Sequence, residues 1–143
     1  MQGINIYSGE KGLGAALTNP TELARKKGSI LESYPIEYAA RRWPDVESAY
    51  HALKTADVAQ NDELMIELID AKLRQHPSLK LEIKNRGGEA FLRSCSHLTG
   101  AKSESALSWE GYGLKSRFIR NLVAGYVRSE SDTRTEQGQN LLF

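Results

Sequence analysis

Two segments of the chain repeat apolar residues at the spacing of an amphipathic α-helix, and this periodicity constrains the fold more than any other feature. The first covers 62–75, with Asn61 predicted as its N-cap, and the second covers 115–128. Their apolar positions are Leu64, Met65, Leu68, Ile69 and Leu73, and Phe118, Ile119, Leu122, Val123, Tyr126 and Val127. Such broad stripes must be buried against other elements, so the sequence predicts a mostly helical core.

Shorter patterns surround these two helices. Residues 4–7 alternate as a strand does, 34–43 favour a hairpin or two short extended pieces, and a short helix is expected over 20–27. Two further helices are expected over 77–84 and 89–98, separated by Gly87 and Gly88. The fold class predicted is α+β and mostly helical, a single compact domain with a small sheet or hairpin packed on several helices. The domain covers 1–129, and 130–143 reads as a loose polar tail.

Charge and length narrow the classes of function. The chain has 143 residues, with 19 Lys and Arg against 18 Asp and Glu, which fits one domain and disfavours a strongly basic nucleic-acid binder. Nucleic acid remains a partner only as the carrier of a modified base. No apolar run is long enough to span a membrane and the N-terminus carries no targeting pattern, so we expect a cytoplasmic protein.

Cysteine and histidine usage excludes two further kinds of site. The single cysteine, Cys95, cannot form an internal disulfide, and its apolar neighbours indicate a small core residue rather than a nucleophile. The three histidines, His51, His76 and His97, lack the spacing of metal ligands. We therefore expect no metal and no cofactor, while the sequence leaves the oligomeric state open.

The segment 42–54 carries more polar and aromatic residues than a structural helix needs. On a helical projection Glu47 and Lys54 fall on one line, about two turns or 10 Å apart, and Tyr50 and His51 flank that line. The line borders an apolar stripe made by Val46, Ala49 and Leu53. A carboxylate at such a border has a charge state that its surroundings can tune for proton transfer. The alternative is a solvated flank in which Glu47 pairs with His51 across one turn and Lys54 snorkels.

Two tryptophans stand at predicted element junctions. Trp43 precedes the Glu47 helix, and Trp109 lies in a loop that leads to the last helix. Each is either a core plug whose indole N–H finds a local carbonyl or a stacking surface for a planar ring. Gly111 and Gly113 in the same loop allow either a close backbone approach to a ligand or an ordinary turn.

One flank of the final helix carries three polar residues, Arg117, Asn121 and Arg128. Two interpretations of this flank remain open. It is either a phosphate site or a solvated face.

A family resemblance adds to these residue patterns. The 43–54 segment resembles the central motif of the NADAR family, which includes the YbiA-type N-glycosidases. The matching residues are Trp43, Val46, Glu47, Tyr50, Ala52 and Lys54. The stretch 4–8 followed by 17–20 is similar to the family's opening strand and loop. The glycine-rich turn after Trp109, and the closing helix that reaches Val127 and Arg128, are similar to its C-terminal block.

The resemblance implies a mostly helical α+β hydrolase that cleaves N-glycosidic bonds of ribose-containing compounds, such as ADP-ribosylated guanine or riboflavin-pathway intermediates. It implies that Glu47 is the central acid and Lys54 the motif base. Substrate contacts would then come from Asn19, Trp43, Tyr50, Trp109, Gly111, Asn121 and Arg128. The expected partner is an ADP-ribose-like small molecule, an N-riboside or a modified base.

One departure from the family pattern bears on catalysis. The family commonly has an Asp three residues before the C-terminal Trp, and Ala106 occupies that position here. Either Glu104 or Glu110 takes the role of that Asp, or the chemistry is weakened. Two other classes of function therefore stay open beside the hydrolase: a non-catalytic module that binds an ADP-ribose-like nucleotide, and a small interaction or inhibitor protein built on the same scaffold.

Overall fold

The two periodic segments pack against each other as the longest helices of the fold. The computed structural model describes the backbone of residues 2–141 and the side chains of residues 2–131. Within these limits the α-helices are α1 (Leu13–Ala16), α2 (Thr21–Lys26), α3 (Val46–Leu53), α4 (Val58–Gln75), α5 (Pro77–Asn85), α6 (Glu89–Arg93), α7 (Glu104–Leu107) and α8 (Arg117–Leu141). A 3-10 turn covers Gly113–Lys115. Along this part of the chain no helix combines the length and the apolar character needed to cross a membrane.

Helices α4 and α8 form the centre of the core. The α4 stripe places Leu68, Ile69 and Leu73 almost entirely out of solvent, and α8 does the same with Ile119 and Leu122. Burying five such aliphatic side chains contributes on the order of 10 kcal/mol to the hydrophobic driving force. The two stripes predicted from periodicity are therefore confirmed as the main packing surface, except that Val127, at the end of the second stripe, is 40 % exposed.

Gly125 of α8 lets these two helices approach closely. A Cβ atom built at this glycine would lie 2.6 Å from Cγ2 and 2.9 Å from Cβ of Ile69 on α4. The glycine is thus required by packing, because any side chain there would push α8 away from α4.

The strands form two small antiparallel pairs. Strands β1 (Ile36–Tyr38) and β2 (Arg41–Trp43) make the predicted hairpin, and β3 (Ser96–His97) pairs with β4 (Gly111–Tyr112). The hairpin is held to α4 by the Gln75 side chain, which accepts from Glu37 N at 2.8 Å and donates to Glu37 O at 2.9 Å. Small sheets packed on helices, in a single compact domain, confirm the α+β class.

Several boundaries differ from the prediction for local reasons. Helix α4 begins four residues before the expected start, because Asp57 accepts from Gln60 N at 2.9 Å as its N-cap, while Asn61 reaches back to Thr55. Residues 4–7 are extended but contribute only an isolated bridge between Asn5 and Ser96.

Two longer predictions are also changed. The helix expected over 89–98 ends at Arg93, since Ser96 pairs its backbone with Ile4 and Ile6 instead. Helix α8 runs through residue 129 to Leu141, so the predicted boundary between domain and tail falls inside it. The side chains of residues 132–143 lie outside the described part of the chain.

Candidate functional site

A cavity of about 470 Å³ opens beside α3 and receives four side chains from that helix and the residue after it. Its volume lies within the range of small-molecule sites, about 300–1,000 Å³. Val46 and Ala49 are buried in the core. The adjoining flank of the helix lines the cavity with Glu47, Tyr50, His51 and Lys54. This is the geometry predicted from the helical projection, with the polar line bordering the apolar stripe.

Asp45 fixes the start of α3 and ties it to α2. Its Oδ1 accepts from the backbone N of Ser48 at 2.9 Å, and its Oδ2 accepts from the backbone N of Glu22 at 3.0 Å. An N-cap of this kind contributes about 1 kcal/mol to helix stability. Because Asp45 is itself buried, the two helix starts are held as one unit and α3 presents its polar flank in a fixed direction.

Glu47 is paired with His51 one turn later. His51 Nε2 lies 3.2 Å from Glu47 Oε2, and the His51 and Glu47 side chains are 56 % and 39 % exposed, respectively. Lys54 Nζ lies 5.9 Å from the centroid of the Tyr50 ring. The pair expected from a solvated flank is therefore present, and both of its members also line the cavity.

Aromatic rings and a guanidinium form another part of the cavity wall. Tyr50 meets Trp109 edge-on, with ring centroids 5.7 Å apart, and the Arg117 guanidinium lies 3.8 Å from the Trp109 centroid. Arg117 Nε also donates to Asp62 Oδ1 at 2.6 Å. The Arg117 guanidinium therefore packs on the indole of Trp109, which lines the cavity.

The charge state of Asp62 follows from these contacts. Burial alone would raise the pKa of Asp62, but the hydrogen bonds from Arg117 and Asn121 and the Arg117 charge outweigh burial and lower it. Asp62 therefore stays ionised and keeps the Arg117 side chain in place over Trp109.

Asn19 lines the cavity from the loop before α2. Its backbone oxygen accepts from Glu47 N at 3.3 Å and from Thr21 N at 2.9 Å, and its Nδ2 donates to Met65 Sδ at 3.1 Å. Among the described residues its Oδ1 is a buried acceptor without a partner. The loop is anchored from below by Lys72, whose Nζ donates to Ala16 O at 2.6 Å and to Thr18 O at 2.8 Å.

Four of the predicted site residues lie elsewhere. Trp43 is buried in the core and its Nε1 donates to Tyr38 O at 3.1 Å. Of the two interpretations of this tryptophan, the structure supports the core residue and not the stacking surface. Gly111 has a φ of +150° beside the backbone of Ser116, 3.1 Å from where a Cβ would lie, so it serves a tight turn. The other two are on α8.

The three polar residues on the flank of α8 lie in different places relative to the cavity. Arg117 lines the cavity, Asn121 Nδ2 donates to Asp62 Oδ1 at 3.1 Å behind it, and Arg128 pairs with Glu63 at 2.6 Å outside it. Asn121 and Arg128 are therefore not among the residues that line the cavity. The lining residues that match the prediction are Asn19, Glu47, Tyr50, Lys54 and Trp109.

The position expected to carry a partner acid also lines the cavity. Ala106 lies on the short helix α7. Glu104 is exposed and is not among the lining residues, and Glu110 accepts a hydrogen bond from Thr99 Oγ1 behind the wall. Neither glutamate presents itself to the cavity in place of an acid at Ala106.

His97 is a lining residue that the sequence reasoning missed. It belongs to β3, and its ring packs on Phe118 with centroids 4.6 Å apart and an interplanar angle of 40°. In the sequence His97 falls inside the helix expected over 89–98, and it belongs to no metal-binding motif. Nothing in the local pattern therefore indicates that it lines a site. Within the described residues no cluster of His, Cys, Asp and Glu could hold a metal ion.

Cys95 lies two residues before His97, and its own prediction is confirmed. The thiol is almost completely buried, and that burial raises its pKa. It is a core residue.

Hydroxyl groups supply much of the remaining lining, which consists of Ser8, Thr18, Thr55, Thr99, Ser103, Ser105 and Ser108 together with Asn61, Pro20, Val58 and Met65. Such groups both donate and accept hydrogen bonds, as a polyhydroxylated ligand requires.

Comparisons with protein-family models, with curated proteins and with solved structures find no match for this chain. No matched protein therefore suggests a function for the cavity.

Proposed function

We propose that this protein hydrolyses the N-glycosidic bond of an ADP-ribosyl compound or a related N-riboside. ADP-ribosylated guanine, free or carried by a nucleic acid, and riboflavin-pathway intermediates are the substrate classes implied by the NADAR resemblance. The observation that supports this most is the convergence of Glu47, Lys54 and the Tyr50–Trp109 pair in one cavity of small-molecule size.

Glu47 suits the bond to be broken. Cleavage between a ribose carbon and a nitrogen develops positive charge on the sugar, by analogy with O-glycoside hydrolysis, and a nearby carboxylate stabilises that charge or activates water. Its hydrogen bond with His51 holds the carboxylate in one orientation at the cavity wall.

The other walls match the remaining parts of such a substrate. Trp109 can stack on a planar base, because aromatic side chains stack on bases of any identity. Lys54 offers a compact positive charge to a phosphate. The row of hydroxyl groups suits the ribose hydroxyls.

The test compares the wild-type protein with Glu47→Gln and with Glu37→Gln as a matched control. The first substitution keeps a side-chain oxygen for His51 but removes the charge, whereas Glu37 is a glutamate on β1 that is 75 % exposed and does not line the cavity. We expect Glu47→Gln to lower base release from these substrate classes by about 100-fold or more, and Glu37→Gln to leave it unchanged. Unchanged release by Glu47→Gln would remove Glu47 from the mechanism.

A second candidate is a non-catalytic module that binds an ADP-ribose-like nucleotide in the same cavity. One observation favours it: Ala106 lines the cavity where the resemblance expects an Asp, and neither Glu104 nor Glu110 is among the lining residues. Binding of ADP-ribose without turnover of any ADP-ribosyl substrate would select this candidate.

A further inference from the structure

The tautomer of His97 is fixed by a backbone carbonyl. His97 Nδ1 lies 2.6 Å from the carbonyl oxygen of Ile6. Because a carbonyl oxygen only accepts hydrogen bonds, Nδ1 must carry the proton. In the neutral imidazole the other nitrogen, Nε2, is therefore an unprotonated acceptor.

The second nitrogen is neither hydrogen-bonded nor among the fully buried atoms of the described residues. Among the described residues, the fully buried side-chain polar atoms without a partner are Asn19 Oδ1 and Thr21 Oγ1. Nε2 of His97 also has no partner within this part of the chain, and it is not one of those buried atoms. The ring packs against Phe118, and both residues line the cavity that a ligand would occupy.

The surroundings keep this imidazole neutral at physiological pH. Burial lowers the pKa of His97, and this effect exceeds the opposing influence of the Ile6 hydrogen bond and of the Glu110 and Glu47 charges. The other charged side chains that line the cavity, Lys54 and Arg117, are cations. His51 differs, because it is more than half exposed and its Nε2 is already paired with Glu47.

We propose that His97 is a second catalytic residue of the site, the general base that takes a proton from the attacking water. This inference rests on the proposed hydrolase function. The water oxygen bonds to the anomeric carbon while the carbon–nitrogen bond breaks, and the electron pair of the broken bond goes to the departing base. One water proton passes to His97 Nε2 and then to the departing nitrogen, so that water is the only reactant consumed.

The division of labour with Glu47 follows from position and charge. Glu47 places a carboxylate beside the developing positive charge, whereas His97 accepts and returns a proton without adding a second carboxylate to the cavity. Ile6 O orients the imidazole in the same way that a carbonyl or carboxylate orients other catalytic histidines. Phe118 limits rotation of the ring by packing on one of its faces.

The experiment uses His97→Asn, with His76→Gln as a matched control. An asparagine places an N–H group near the position of Nδ1, which preserves the bond to Ile6 O and removes the basic nitrogen. His76 also contacts a backbone carbonyl, with Nε2 2.6 Å from Pro35 O, but it lies outside the cavity, and a glutamine can keep that contact. The measurement is kcat and kcat/KM for ADP-ribosylated guanine from pH 4.5 to 9, with ADP-ribose affinity measured by calorimetry.

In the wild type we expect the rate to fall as the pH drops through a pKa below 6.5, because protonation of Nε2 removes the base. His97→Asn should lower kcat by about 100-fold or more and abolish this acid limb, while the affinity for ADP-ribose changes less than about threefold. His76→Gln should keep both the rate and the limb.

The outcomes separate the two proposals. Turnover that depends on Glu47 but keeps its rate and acid limb in His97→Asn overturns the role of His97 alone, and absence of turnover in the wild type overturns both proposals. If His97→Asn does not fold, nitrogen chemical shifts of the wild-type imidazole decide instead. A proton on Nε2 in place of Nδ1 at neutral pH contradicts the proposal, and a proton on Nδ1 supports it.

Discussion

Lys72 is an ionisable side chain buried in the core, and we predict that it makes the stability of this protein rise as the pH increases above about 7. Its Nζ donates to the carbonyl oxygens of Ala16 and Thr18, and burial lowers its pKa from 10.5 to about 7, against an opposing effect of the Asp45 charge. The unfolded chain keeps the ordinary value. Between these two pKa values the unfolded state binds more protons than the folded state, so stability rises with pH.

The magnitude follows from the size of the shift. Below about pH 7 Lys72 is protonated in both the folded and the unfolded state, so it does not make stability depend on pH. Above about pH 7 this one group increases the free energy of unfolding by up to about 1.4 kcal/mol per pH unit. With folded and unfolded pKa values of about 7 and 10.5, the gain between pH 7 and pH 9 comes to about 2 kcal/mol. This is a large fraction of the stability of a single domain.

Urea unfolding at pH 7, 8 and 9 measures this slope in the wild type, in Lys72→Met and in Lys84→Met, where Lys84 is an exposed lysine on α5. Other titrating groups contribute to every protein in the set, so the diagnostic quantity is the difference in slope. We expect the Lys72→Met curve to lose about 2 kcal/mol of the rise, whatever its absolute stability, and the Lys84→Met curve to run parallel to the wild type. Parallel curves for Lys72→Met and the wild type would refute the reasoning.

Two further predictions concern backbone geometry and packing. Gly125→Val should lower the free energy of unfolding by about 2 kcal/mol, because its side chain collides with Ile69, and an unchanged urea midpoint would contradict the close approach of α4 and α8. Ala39 and Ala40, between β1 and β2, have φ values of +54° and +59°, which are unfavourable for a residue with a Cβ atom. Ala40→Gly should therefore raise the free energy of unfolding by about 1 kcal/mol. A lower melting temperature would show that this turn conformation is not adopted.

The elements that periodicity and hairpin patterns define were predictable from the sequence. The stripes of α4 and α8 are repeated over several turns, so their burial follows from local spacing alone. The polar flank of α3 was predictable for the same reason, since Glu47 and Tyr50 take their directions from one helix. Its N-cap and its neighbours only reinforce that arrangement.

The parts that depend on distant contacts were not predictable in this way. Ser96 leaves the expected helix because its backbone pairs with a segment about ninety residues earlier, and this brings His97 into the cavity. Trp43 and Trp109 carry similar local signals, and only their packing separates a core plug from a cavity wall. Tertiary contacts between residues far apart in sequence overrode the local pattern in both cases.

The central claim is that the cavity around Glu47 binds an ADP-ribosyl compound and breaks its N-glycosidic bond. The most direct test is chromatography of ADP-ribosylated guanine after incubation with the wild type or Glu47→Gln, together with calorimetry of each protein with ADP-ribose. We predict release of guanine by the wild type, about 100-fold less by the variant, and binding of ADP-ribose by both. Binding without release would leave a nucleotide-binding module, and the absence of both binding and release would contradict the claim.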